Sequence, residues 1–363
     1  MNTTKKEYFM DNIKKIGLTA LGTSLVASSA IAADANVTGN TGYTWSSEEV
    51  GTSTTDGIGF EADFNMSVSG ELDNGYTVTG SLLLTESAGL SSSYTSLTMG
   101  SLGTIIVGSG YGGVGQAFDD VTPKAYEENH DGMKTVTAID SVGANMGNGS
   151  IMYFGPTVDL AGFGVQLMAG YAPEAANTAV TDGAVSASSN LWSSGSEIGV
   201  KISGMGITAG AYANELTMDS AGSNGGKVEE DAMTATWHVS YDAGPVSIGY
   251  QTGGAETGVR GTGELATATK AYTTAFGNFE YEKMSIAANV SDSMSISWGE
   301  LTETYDAQSA TVANVDMKST SIQFAYSMGS MKFSGYMTDT DNPGWVQDAK
   351  SDEVTELAVG FSF

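Results

Sequence analysis

Apolar and polar residues alternate with a period of two along most of this chain, the signature of strands that bury one face and wet the other. Between 58 and 68 one parity holds Ile58, Phe60, Ala62, Phe64, Met66 and Val68, and the other holds Glu61, Asp63, Asn65 and Ser67. The pattern returns at Phe163, Val165, Leu167, Ala169 and Tyr171, and at Ile322, Phe324 and Tyr326. Met233, Ala235, Trp237, Val239 and Tyr241 face away from Thr234, Thr236, His238 and Ser240. The final strand sets Thr355, Leu357, Val359, Phe361 and Phe363 on one side, and the sequence stops on that Phe. No sustained 3.6-residue apolar stripe appears beyond the N-terminal region, so no long helix is predicted there.

Between the strands, short and long connections take turns. Seven short ones lie at 72–75, 100–103, 156–162, 203–206, 242–245, 291–293 and 328–330, most with the Gly, Asp, Asn or Pro that tight turns need. Eight longer ones lie at about 46–57, 86–90, 109–147, 173–195, 214–231, 252–277, 302–316 and 338–352. Together they join sixteen strands with both ends on the short-turn side, although fourteen or eighteen also fit. Two strands are weak. The stretch 90–99 is rich in Ser and Thr, and near Lys283 the apolar parity slips, as a β-bulge would cause. The pattern predicts an all-β fold, a transmembrane antiparallel β-barrel whose lipid-facing and lumen-facing residues alternate. A soluble sandwich or β-helix would alternate too, but predicts neither this rhythm nor a strand ending flush at Phe363.

The N-terminus changes the picture from barrel to exported barrel. Lys14 and Lys15 precede an apolar run from Ile16 to Ala27, then Ala30-Ile31-Ala32 before Ala33 and Asp34. That is a secretory signal, predicted to occupy 1–32 and to be cut between Ala32 and Ala33, leaving 33–363 as the barrel domain. The run is shorter than the roughly 20 apolar residues that span a bilayer. The stretch before Lys14 is long for such a signal, which leaves Met1 and Met10 as alternative starts.

A mean hydropathy of −0.08 is no obstacle, since alternation hides the lipid face. An exported chain without cysteine is not held by disulfides, and a closed sheet needs none. Charge is lopsided, with 42 acidic against 14 basic residues and Arg260 as the single arginine. Removing Lys5, Lys6, Lys14, Lys15, Glu7 and Asp11 with the signal leaves 40 acids and 10 bases. Such a chain does not neutralise phosphates, so nucleic-acid binding is excluded. His130 and His238 are too few for a His/Cys zinc centre, and no Gly-rich stretch ends in the Gly-Lys-Ser/Thr of a phosphate loop. No enzyme is predicted. Calcium is the one candidate cofactor, through Asp119, Asp120, Glu127, Glu128 and Asp131, whose spacing is not that of an EF-hand. Asp339, Asp341, Asp348, Asp352 and Glu353 are candidates to bridge lipopolysaccharide through divalent ions.

Three stretches carry a resemblance: LTMGSLGTIIVG at 97–108, QAFDD at 116–120 and ELAVGFSF at 356–363. With them the chain resembles the trimeric general porins of Gram-negative bacteria, particularly the sixteen-stranded α-proteobacterial type. The resemblance implies a homotrimer in the outer membrane, surrounded by lipid and lipopolysaccharide, that passes small polar solutes by diffusion. It implies that Phe361 and Phe363 form the signal read by the barrel-assembly machinery. It also implies an inward-folded third loop that narrows the pore. Here that loop is 109–147, with Asp119, Asp120, Lys124, Glu127, Glu128, His130, Asp131 and Lys134 as the expected constriction. Glu61, Asp63, Lys201 and Lys332 are the expected charged residues of the lumen wall. The basic cluster that usually opposes the loop is missing, so the expectation is a cation-selective pore. The rival readings are a selective channel for amino acids or polyamines, and a non-conducting adhesin or structural barrel.

Overall fold

The structure is a computed structural model and describes residues 34–85, 89–110, 112–132, 138–144, 146, 149–175, 192–218, 227–228, 230–260, 278–306 and 313–363. The expected signal with its expected cleavage site at Ala32 and Ala33, and Lys134 in the third loop, lie outside these residues.

Sixteen antiparallel strands form one continuous wall: β1 (Asp34–Val50), β2 (Ser53–Glu71), β3 (Thr77–Leu84), β4 (Leu90–Thr98), β5 (Thr104–Ser109), β6 (Ser150–Phe154), β7 (Phe163–Ala172) and β8 (Trp192–Gly204). The wall continues through β9 (Ile207–Met218), β10 (Ala232–Asp242), β11 (Val246–Glu256), β12 (Asn278–Ser291), β13 (Met294–Asp306), β14 (Val315–Met328), β15 (Met331–Asp341) and β16 (Asp352–Ser362). A three-residue strand, Val158–Leu160, extends the β6 side against β7. Each strand pairs with its sequence neighbour, and β1 pairs with both β2 and β16, which closes the barrel. Closure satisfies every edge, the condition for a sheet to sit in lipid.

At the seam, the Gly39 amide donates to the Phe363 carbonyl at 2.8 Å and the Phe363 amide donates back at 2.9 Å. A Cβ on Gly39 would stand 2.9 Å from the Asp63 carbonyl oxygen and 3.1 Å from the Phe363 ring, so glycine is required there. The Phe363 ring meets Phe64 edge-on, with centroids 6.1 Å apart.

Alternation delivers the two faces the sequence predicts. Ile58, Leu167, Ile198, Ile322 and Met337 are each more than 60% exposed on the outside. At ~25 cal/mol per Å² this apolar area is costly in water and favourable in hydrocarbon. Among the described residues no helix is long and apolar enough to cross a membrane.

Two expectations are corrected. The first loop, placed at 46–57, is a two-residue hairpin: β1 and β2 stay paired up to Val50 opposite Ser53, and Gly51 takes a φ of +59°. Its Ser, Thr and Glu side chains lack apolar alternation, but the backbone ladder does not require it. The parity slip near Lys283 is not a bulge. The β11–β12 register runs unbroken from Asn278 to Ala288, and the irregularity in β12 falls later, between Asn289 and Ser291. Phe279 and Tyr281 break the pattern because they are apolar residues on the inner face. There they join Leu301, Tyr305, Met317 and Trp345 around Ala138 and Ile139 of the third loop.

Candidate functional site

The described residues between β5 and β6 lie as a strap along the buried face of the wall. Its outgoing limb begins at Glu197 of β8, whose carboxylate accepts from the Val114 amide (2.7 Å), the Gly115 amide (3.2 Å) and the Tyr212 hydroxyl (2.9 Å). Phe118 then stacks on Tyr212, centroids 5.5 Å apart, and meets His238 edge-on. Gln251 of β11 donates to the Phe118 carbonyl at 2.8 Å and accepts from the Val121 amide at 3.2 Å. Ser285 of β12 donates to the Pro123 carbonyl (2.7 Å), and Ser297 of β13 accepts from the Ala125 amide (2.9 Å). Gln323 of β14 accepts from the Tyr126 amide (3.1 Å) and donates to the Glu127 carbonyl (2.8 Å).

The strap thus reaches β16, where the Tyr126 hydroxyl donates to Glu356 at 3.0 Å. On the way back the Ala138 amide donates to Glu303 of β13 at 2.8 Å. Val142 returns to the cluster of Val114, Phe118, Met152, Met168 and Tyr212. These wall partners all sit at alternate positions of their strands, opposite the exposed apolar face. Polar residues along that inner face receive the outgoing limb, and apolar ones such as Phe279, Leu301 and Met317 receive the returning one.

The predicted loop residues fall into three groups. Asp120 is buried and ion-paired with Lys283 on the wall and with Lys124 at 3.0 Å. Glu128 and His130 form a second pair at 3.0 Å, with Asp140 3.4 Å from the same ring nitrogen and Lys124 3.6 Å from Glu128. Burial opposes charge on His130, but the bonds to Asp140 and Glu128 outweigh it and push its pKa up to about 10. Burial likewise works against the Glu128 carboxylate, yet His130 holds it below the usual range.

Asp119, Glu127 and Asp131 make up the third group, in which burial dominates. It raises Asp119 to about 6, with Glu128 adding like-charge repulsion, and Glu127 to about 7, with Asp131 adding to the rise. Asp131 is raised for the same first reason. Among the described residues no three carboxylates or imidazoles gather closely enough to hold a metal ion. Of the five calcium candidates, Asp120 and Glu128 are held in ion pairs among the described residues and Asp119, Glu127 and Asp131 are not.

On the wall, Glu61 accepts from Asn40 at 2.5 Å and shares its parity with Asp63. Lys332 of β15 lies 5.0 Å over the Tyr126 ring, and a cavity of about 210 Å³ opens between Glu61, Tyr126, Glu127 and Lys332. Lys201 occupies the inner parity of β8, in register with Gly210 and, beyond it, His238. Phe361 and Phe363 point outward and are exposed.

Lys283 was missed as a site residue. The signal was present in the sequence: it shares the parity of Ser285, opposite Met284 and Ile286, so it points inward. Glu197, Gln251 and Gln323 were missed too. Each reads as one more polar residue of an alternating strand until the strap is placed against it.

No family model matches this sequence, and no curated protein matches it. Solved structures do. A Salmonella typhi OmpF bound to daunomycin superposes with a TM-score of 0.64 at 10% identity, covering 91% of this chain and 97% of that one. A refined porin structure gives 0.59 at 16% identity, over 91% and 100%. The chain has the porin fold. A third structure of that fold, Vibrio cholerae OmpT in its trimer form, gives 0.61 at 13% identity over 92% and 100%. At these identities the match is one of fold alone.

Proposed function

We propose that the chain is an outer-membrane channel through which small hydrophilic solutes diffuse, with cations preferred. The observation that carries this is the closed barrel itself. Its outside is apolar, its inner face polar, and a charged strap lies against part of that inner face. A water-filled lumen of this kind needs no energy source and no cofactor.

The cation preference rests on where charge stands. Glu61, Asp63 and Glu356 face inward from the wall, and the strap adds Glu127 and Asp131. Of the inward lysines, Lys283 and Lys124 are paired with strap carboxylates, which leaves Lys201 and Lys332 as the main positive counterweight. Carboxylates bordering a narrow low-dielectric passage raise the local concentration of cations. The inward third loop acts as the constriction, and its long run of bonds to the inner wall supports that role. Export through the signal at 1–32 delivers the chain to the outer membrane, with Phe361 and Phe363 serving the barrel-assembly machinery. The match to a trimer-form structure supports assembly as a homotrimer.

Planar-bilayer recording of the purified, folded chain tests this. The expected result is a steady conductance whose reversal potential in a KCl gradient reports K⁺ preference. Anion preference contradicts the charge assignment, and absence of conductance contradicts the channel.

A further inference from the structure

One contact between strap and wall pairs two fully buried side chains of opposite charge. Glu197, Gln251, Ser285, Ser297, Gln323 and Glu303 hold strap backbone, through hydrogen bonds that one amide or carbonyl makes much as the next would. Lys283 instead holds a single strap side chain, the carboxylate of Asp120, 163 residues away in sequence. Both side chains are removed from solvent, with exposures of 0% and 1%. Asp120 also takes a φ of +23°, a backbone conformation that L side chains rarely adopt. Its other partners, the Thr122 hydroxyl at 3.2 Å and Lys124, lie on the strap itself. Gln251 and Ser285 bracket the contact by fixing Phe118, Val121 and Pro123 on either side.

A buried ammonium–carboxylate pair is an expensive way to glue two surfaces, because desolvation cancels much of the attraction. What such a pair supplies is registry: Asp120 is the strap carboxylate in contact with Lys283, while the adjacent Asp119 acts on it only at longer range. We propose that Asp120 and Lys283 form the positioning contact that fixes where the strap lies, and through it the open cross-section of the lumen and the charges that border it. This rests on the channel reading above. Without Asp120, the Lys283 ammonium loses its ion-pair contact beneath the strap and keeps only the longer-range attraction of Asp119. It then reaches water by lifting the segment 118–125, and so adds a positive charge to the passage.

The test compares wild type, D120N and D120N/K283M, each also carrying S285C in an otherwise cysteine-free chain. Ser285 is 4% exposed and lies under Pro123, so its replacement thiol reports strap lifting without reference to conduction. In D120N, a small water-soluble thiol reagent should label folded barrel roughly tenfold faster than in the S285C parent, as expected when a buried pair loses one partner. Single channels of D120N should be noisier, with reversal potential shifted toward anions. D120N/K283M should keep the noise but lose the shift, since no bare ammonium remains.

Labelling and currents in D120N equal to those of the parent overturn the proposal. If D120N does not fold, the double variant decides: faster labelling and noisier currents support the contact, and parental behaviour overturns it. A silent wild type defeats the channel reading, while the labelling rates still judge the contact.

Discussion

Single residues in this barrel do two separable jobs, and the carboxylates divide between them. Glu197 is structural: buried, it accepts from two strap amides and from Tyr212. Removing it strands three donors, so Glu197→Ala should cost about 2–3 kcal/mol. The readout is the temperature at which the folded barrel loses its compact migration in gels.

Glu127 and Asp119 titrate near neutrality, at about 7 and about 6. Both folded-state values lie above those of an unfolded chain, so the native state binds these protons more tightly and each group opposes folding as pH rises through the raised value. His130 is raised to about 10, so its contribution is complete below the ordinary histidine range and is lost as pH climbs through 10. Between pH 8 and pH 5 the passage therefore loses negative charge while His130 stays protonated. Cation preference, read as reversal potential, should be weaker at pH 5 than at pH 8.

Elements were more legible than the contacts between them. Alternation alone gave the strands and their faces, because a period of two leaves one choice of which side is buried. It failed where tertiary packing overrode it. Phe279 and Tyr281 face inward since the returning strap supplies Ala138 and Ile139 for them to pack against, and no window of sequence around β12 contains that information. The tip of the first hairpin was unreadable for the opposite reason: its paired ends, 46–49 and 53–57, are polar on both faces and held by backbone bonds. The seam between β1 and β16 offers the sharpest test at this scale. Gly39→Ala forces a methyl against the Asp63 carbonyl and the Phe363 ring, and should lower barrel stability by about 1–3 kcal/mol without changing the strand count. Heat-modifiable migration and circular dichroism together separate these outcomes.

For the whole molecule, net charge and architecture point the same way. A chain with 42 acidic and 14 basic residues can hardly line its interior with a positive cluster, and the four inward lysines named here are partly neutralised by the strap. Neutralising Glu61 and Asp63 together, as E61Q/D63N, should reduce cation preference several-fold with little loss of stability, since neither belongs to the strap's anchoring ion pairs. Reversal potentials in a KCl gradient measure it.

Joining β1 to β16 also has a consequence for the order of folding. The seam ladder ties Asn40–Glu49 to Glu353–Ser362, so no ring is complete until the two strands most distant in sequence have met. Until then the sheet is a ribbon with two raw margins, each ready to pair with a stray chain. A product cut short before the sixteenth strand is therefore expected to wait, unzipped, for proteases.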